Sequence, residues 1–390
     1  MSGPSEDRSV RLEVQGPSAP PHTPASAGEP VNNLDLMKGW LHVCRNEHRK
    51  CSNRQTKFLP TRLLDVQAPG IGADVQLVPT RSFVTSTRND HGYLTLSHCW
   101  GPKHLHSKTT KKGNLAKHME RIPFNELSRT FQDAVQITRE LRQRYIWIDS
   151  LCIVQDDGDD WAKEAALMAE VYGNSLCTLA ALSSRDGTEG CNRIADIQKS
   201  TNNTFVDLNW NRKRHPYVRV FEKEPENWHS EYDGGLDRNG NLRSPLRHRA
   251  WVLQEKELSQ RSIHFSKSQL LWECQETKAT AQLPWEEWKR EDDLIHKREW
   301  YELIEDYTLR SITAATDKLP ALSGLAKRHQ ERNVQYLAGI WSSQFPGALL
   351  WQSTDPLAKR LSKVSKDATY IAPSWSWASI QGRASYVSTS

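Results

Sequence analysis

Apolar positions change period along the chain, and the changes mark its elements. From Leu34, "LDLMKGWLHVCRNEHRKC" carries Leu36, Trp40 and Val43 at helical spacing and predicts a helix. "TRLLDV" and "VQLVPT" are short apolar runs that predict strands. The clearest patterning lies between residues 93 and 183. "YLTLSHCW" is an apolar strand, and "PFNELSRTFQDAVQITRELRQR" sets Phe131, Ala134, Thr138 and Leu141 on one helical face. Thr130 and Asp133 form a candidate capping box at its start. "YIWIDSLCIV" is a second apolar strand, and "DDGDDWAKEAALMAEVYG" a helix preceded by acids and ended by Gly173. "SLCTLAAL" is a third strand. This β-α-β-α-β order, with strands apolar on both faces, predicts parallel, adjacent strands at 93–99, 145–153 and 176–182 in an α/β sheet.

Beyond residue 190, "FVDLNW" and "YVRVFEKE" are expected strands and "RAWVLQEKELS" a short helix. "RSIHFSKSQLLWEC" predicts a hairpin turning at "SKS". Residues 285 to 310 are charged at helical period and two further helices are expected after them. In "APSWSWASI", Trp375 and Trp377 alternate with small polar residues, as in a half-buried strand. Residues 1–33 are rich in Pro, Ser, Gly and Ala and are expected to form a disordered tail that packs on nothing. The chain therefore divides into a tail (1–33), an N-terminal helix with short strands (34–92), an α/β domain (93–276) and a mostly helical C-terminal extension (277–390).

Composition narrows the class. The 15 tryptophans require large packed pockets. A net charge of +5 over 390 residues, with basic residues scattered, argues against a nucleic-acid partner. Seven cysteines at irregular spacing argue for a reducing compartment rather than a disulfide framework. No apolar run reaches the ~20 residues of a membrane span, and "MSGPSEDRSV" lacks a secretory h-region, so a cytoplasmic protein is expected.

Ser97, His98 and Cys99 sit at the end of the first strand of the α/β domain. Strand alternation points Ser97 and His98 to opposite faces, so they do not form a dyad, and no Gly-x-Ser-x-Gly elbow is present. Ligands of open α/β sheets bind outside the carboxyl ends of strands, which makes Ser97, Trp100, Gly101 and Asp149 candidates for a pocket rim. On the wheel of the second helix, Glu164 falls inside the apolar stripe of Trp161, Ala165, Met168 and Tyr172, while Lys163 and Glu170 fall on the wet side. A carboxylate there needs a partner, such as an Arg, or a cleft that presents it to a ligand. "QDDGDD" lacks calcium-loop spacing and is better placed as helix capping. Cys44, His48 and Cys51 form Cys-x3-His-x2-Cys, but three local ligands fall one short of a structural zinc site, so no metal is expected.

"YLTLSHCWG", "LSRTFQDAVQITRELRQRYIWIDSLCIVQDDGDDWAKEAALMAEVYGNSLCTLAAL" and "PLRHRAWVLQEKELSQRSIHFSKSQLLWEC" together, in this order and spacing, resemble the fungal heterokaryon-incompatibility (HET) domain family. The resemblance covers roughly residues 93 to 276, and "DKLPALSGLAKRH" and "APSWSWASI" are similar to the usual C-terminal extension of such chains. It implies a fungal intracellular protein of non-self recognition and programmed cell death, and a chain that lacks part of that extension. HET domains are in turn similar to TIR domains, which implies a flavodoxin-like parallel core with added strands. Several TIR domains cleave NAD with one glutamate on a helix after a Trp. Glu164 resembles that residue, with Trp161, beside it on the helix, and Ser97 and Asp149 as pocket candidates by the same analogy. The resemblance thus implies NAD as a substrate, with no bound cofactor. A non-catalytic module that self-associates or binds an incompatibility partner is the alternative, and a relative without activity a third.

Overall fold

The computed structural model of the chain describes residues 33–52, 58–83, 92–191, 242–281, 299–360 and 370–386, apart from 103, 105–107, 243, 268, 354 and 356–357, together with strands at 10–15, 205–206 and 217–222. Helix α1 (Asn33–Asn46) buries Leu36, Met37, Trp40, Leu41 and Cys44. An antiparallel pair follows, β1 (Arg62–Asp65) and β2 (Gln76–Pro79). Next come β3 (Tyr93–Ser97), α2 (Arg129–Glu140), β4 (Tyr145–Ile148), α3 (Gly158–Gly173) and β5 (Cys177–Ala180). Helix α4 (Trp251–Leu258) and strands β6 (Arg261–Phe265), β7 (Leu270–Cys274) and β8 (Lys278–Thr280) complete one eight-stranded sheet of order β8-β7-β6-β5-β3-β4-β1-β2.

The α/β expectation holds at the centre of the sheet. Strand β3 lies between β4 and β5 and is parallel to both, with Leu94 facing Ile146 on one side and Cys177 on the other. Helical crossovers carry the chain back each time, which makes parallel pairing the natural outcome. β6 continues the parallel set beside β5, but β1–β2 and β7–β8 join antiparallel, so the sheet is mixed rather than wholly parallel. The predicted hairpin at 261–274 forms as β6–β7.

Several expectations need correction. The second strand stops at Ile148, and Asp149–Cys152 is a helical turn whose Leu151 and Cys152 are buried, because an apolar run does not by itself distinguish a strand from a buried turn. Thr130 and Asp133 do not form a capping box. Ser128 precedes α2 without capping it; the Thr130 hydroxyl donates to the Gly187 carbonyl at 3.1 Å, and Asp133 pairs with Arg129 at 3.1 Å. The tail is not wholly free of structure, since Val10–Gln15 is a strand antiparallel to Tyr217–Glu222. Its sequence "VRLEVQ" has the period of two that a strand needs, overridden in the prediction by the flanking composition. The rest of residues 1–32 and most of the charged run at 285–298 lie outside the described residues.

Among its described residues the C-terminal part is not mostly helical. Its described residues hold two helices, α5 (Trp300–Thr308) and α6 (Pro320–His329), and three short strand pairs, 336–337 with 340–341, 351–353 with 384–386, and 359–360 with 380–381. "SWSWAS" is a turn instead of a strand. Trp377 is buried in a 3-10 turn and Trp375 is exposed. Buried indoles supply the reason, because each needs an acceptor. Trp300 and Trp377 both donate to the Gly339 carbonyl, at 2.8 and 3.0 Å. Gly339 has φ +95°, and a Cβ there would meet the Trp377 indole at 2.7 Å, so irregular backbone replaces helix. The extension also steadies the segment before α4, where Ala250 N–H donates to the Ser311 carbonyl at 2.9 Å and Ser311 N–H to His248 at 2.5 Å. Among the described residues no helix is long and apolar enough to cross a membrane.

Candidate functional site

Strands β3 and β4 deliver their last residues to one corner. Trp100 donates from Nε1 to Asp149 Oδ2 at 2.9 Å, and Asp149 Oδ1 accepts from the Ser150 N–H at 2.7 Å. The chain turns just after the indole at Gly101, φ +74°, where a Cβ would meet that of Asp186 at 2.3 Å. Of the residues predicted for the rim, Ser97, Trp100, Gly101 and Asp149 are therefore at the strand ends where the topology puts ligands.

The corner is completed by residues that sequence reasoning missed. Arg249, just before α4, lies 3.8 Å from Asp149 Oδ2 and donates to the His98 carbonyl, with 27% of its side chain exposed. On α4, the Glu255 carboxylate accepts from the Ser97 hydroxyl at 2.5 Å. Burial pushes the Glu255 pKa up, against the pull of Arg249 and of the Ser97 hydroxyl. Tyr172 donates to the Leu96 carbonyl at 3.3 Å, and burial raises its pKa too, reinforced by Glu255. For Arg249 burial opposes the charge, but Asp149 and Glu255 outweigh it and hold the pKa above its usual value. Periodicity could not have marked Glu255, because α4 buries Val252, Leu253, Gln254, Glu255 and Leu258 around most of its circumference.

His98 takes the opposite face from Ser97, as strand alternation requires. Its ring meets Phe131 edge-on at 5.0 Å, and Nδ1 is 3.7 Å from Asp149 Oδ1. It is 1% exposed, and neither ring nitrogen has a hydrogen-bond partner. Burial pushes its pKa down to about 4, with Asp149 opposing, so the imidazole is neutral at pH 7. Ser97 and His98 are accordingly not a nucleophile and base.

Glu164 and Trp161 occupy the face of α3 that the wheel predicts, but they keep different company. Trp161 packs edge-on against Trp251 of α4 at 6.4 Å. Glu164 is 1% exposed, and its nearest cation is Arg62 of β1, at 3.8 Å. Arg62 is itself anchored, donating to Asp160 Oδ2 at 2.5 Å and to the Cys152 carbonyl at 2.6 Å. Burial raises the Glu164 pKa, while the Thr61 hydroxyl and Arg62 pull it down. Asp157 caps α3, its carboxylate accepting from the N–H groups of Asp159 and Asp160. "QDDGDD" thus serves the helix start and the Arg62 pair.

At the far margin of the sheet, Cys44, His48 and Cys51 meet Cys274 at the end of β7, with all four ligand atoms within 4.8 Å of one another. The three-ligand count made from the sequence was one short, because the fourth residue is 223 positions beyond the third. Residues 93–255 match the family described as Heterokaryon incompatibility protein (HET). No curated protein and no solved structure matches the chain.

Proposed function

Residues 93–255 are a heterokaryon incompatibility domain, and from that premise we propose that the protein acts in fungal non-self recognition, signalling toward programmed cell death from the cytoplasm through a TIR-like core. The observation that supports this best is Arg249, 27% exposed, which with the Trp100 indole converges on Asp149 Oδ2 at the carboxyl ends of β3 and β4. A cation next to an indole, at the edge where α/β sheets bind ligands, suits an anionic ligand with aromatic rings, such as NAD. Binding, with the signal passed on by self-association or to an incompatibility partner, is favoured over cleavage. The reason is the burial of Glu164, 1% exposed beside Arg62, which closes that carboxylate off from a ligand.

NAD cleavage is the second reading, favoured by the raised pKa of Glu164, which burial drives against the pull of Thr61 and Arg62. There the carboxylate would stabilise the ribosyl cation as nicotinamide leaves. The two readings separate in one experiment on the purified chain. NAD binding is measured by calorimetry for the wild type and Arg249→Met, and nicotinamide release is followed for the wild type and Glu164→Gln. Expected are binding that weakens at least tenfold in Arg249→Met, and no release. Turnover that vanishes in Glu164→Gln would install the glycohydrolase reading, and neither binding nor release would remove NAD as the ligand.

A further inference from the structure

We propose that Cys44, His48, Cys51 and Cys274 form a structural zinc site that fastens the N-terminal helical segment to the margin of the sheet. Three thiols and one imidazole are a complete tetrahedral donor set for zinc. With Zn–S bonds of about 2.3 Å and Zn–N of about 2.0 Å, ligand atoms stand roughly 3.4–3.8 Å apart around a tetrahedron. Here all four lie within 4.8 Å of one another, and His48 Nδ1 is 3.3 Å from Cys274 Sγ. A contraction of about 1 Å closes the set.

The ligands come from four places that have no other reason to converge on sulfur. Cys44 is in the last turn of α1, His48 in the turn after it, Cys51 in the short helix Arg49–Ser52, and Cys274 at the tip of β7. The remaining cysteines, Cys99, Cys152, Cys177 and Cys191, are buried in the body of the domain. Seven cysteines thus separate into three ligands and four core residues, which accounts for the odd number.

The surroundings are those of a metal thiolate. Zinc binding displaces three thiol protons, and the divalent ion with three thiolates carries a net charge of −1. The Arg261 guanidinium stands against it, with Nε 3.1 Å from Cys44 Sγ and Nη2 donating to the Cys51 carbonyl at 2.7 Å. The Thr277 N–H points at Cys274 Sγ at 3.3 Å and its hydroxyl lies 3.4 Å from the same sulfur. Such donors orient thiolates and stabilise their charge. Glu276 of the same turn accepts from the Lys50 N–H, and Trp40 stacks on Trp272 at 6.1 Å, so the joint is already drawn together around the sulfurs. All four ligands fall outside residues 93–255, and the site ties the chain before that region to the strand after it.

The test uses the full chain, made without a polyhistidine tag and purified under reducing conditions. Elemental analysis after dialysis is expected to give one zinc per chain, and cobalt exchange the absorption of a tetrahedral thiolate site. Cys274→Ser and His48→Ala are expected to lose the metal, whereas Cys191→Ala, a buried thiol elsewhere, keeps it. Should the ligand variants fail to fold, mercurial titration of the wild type reads the same point, with zinc released as three thiols react. A wild-type chain holding only background zinc, a disulfide within the cluster by mass spectrometry, or zinc retained in Cys274→Ser would overturn the proposal.

Discussion

Replacing Arg62 should damage the protein far more than replacing Glu164, although the two form a pair. Their charged atoms are 3.8 Å apart, with side chains 9% and 1% exposed. At that separation and an effective dielectric constant of about 20, their attraction is about 4 kcal/mol. The partners are not equivalent. If Glu164 becomes Gln, Arg62 keeps Asp160 and the Cys152 carbonyl. The Gln amide can still meet the Thr61 hydroxyl, and a buried charge disappears. Glu164→Gln should therefore change stability by less than about 1 kcal/mol. Arg62→Met strands a buried carboxylate beside Asp160 and should cost roughly 3–5 kcal/mol at pH 7. The double variant should regain about 2 kcal/mol of that loss, since the stranded charge is gone. Urea denaturation followed by tryptophan fluorescence measures all three at equal m-values. If Glu164→Gln alone costs 3 kcal/mol or more, or the double variant is no more stable than Arg62→Met, the account of this pair is wrong.

Two further outcomes follow from the strand-end corner. His98 has a folded pKa of about 4 against an unfolded value near 6.5, so the unfolded chain takes up the proton first as the pH falls. Its contribution is complete above pH 6.5 and is lost between 6.5 and 4, worth roughly 3 kcal/mol at about 1.4 kcal/mol per unit. The stability difference between wild type and His98→Leu should slope over that window, and a flat difference would contradict the buried neutral imidazole. Gly101→Ala forces a Cβ to within 2.3 Å of Asp186 at φ +74° and should cost more than about 2 kcal/mol by denaturant titration, against a few tenths for Gly113→Ala, where a Cβ meets nothing within 4 Å.

Local chemistry is what the sequence by itself determined. The apolar runs at 93–99, 145–153 and 176–182, with amphipathic helices between them, predicted the parallel centre that forms, because period and crossover length depend only on neighbours along the chain. The burial of Glu164 was legible for the same reason, as it follows from the angular step of one helix. The sequence order, with its joint motifs, also carried the likeness to HET domains that the family match over 93–255 bears out. What stands opposite each of these residues was decided by tertiary structure alone. Arg62 reaches Glu164 from β1, Ser97 meets Glu255 across 158 residues, and Cys274 reaches His48 across 226. Such contacts leave no periodic trace, because they are fixed by the order in which strands pair and helices dock. The antiparallel joining of β1 to β4, the turn at Asp149 and the irregular C-terminal region belong to the same class. There, burying polar groups such as the Trp300 and Trp377 indoles required acceptors that only distant backbone could supply.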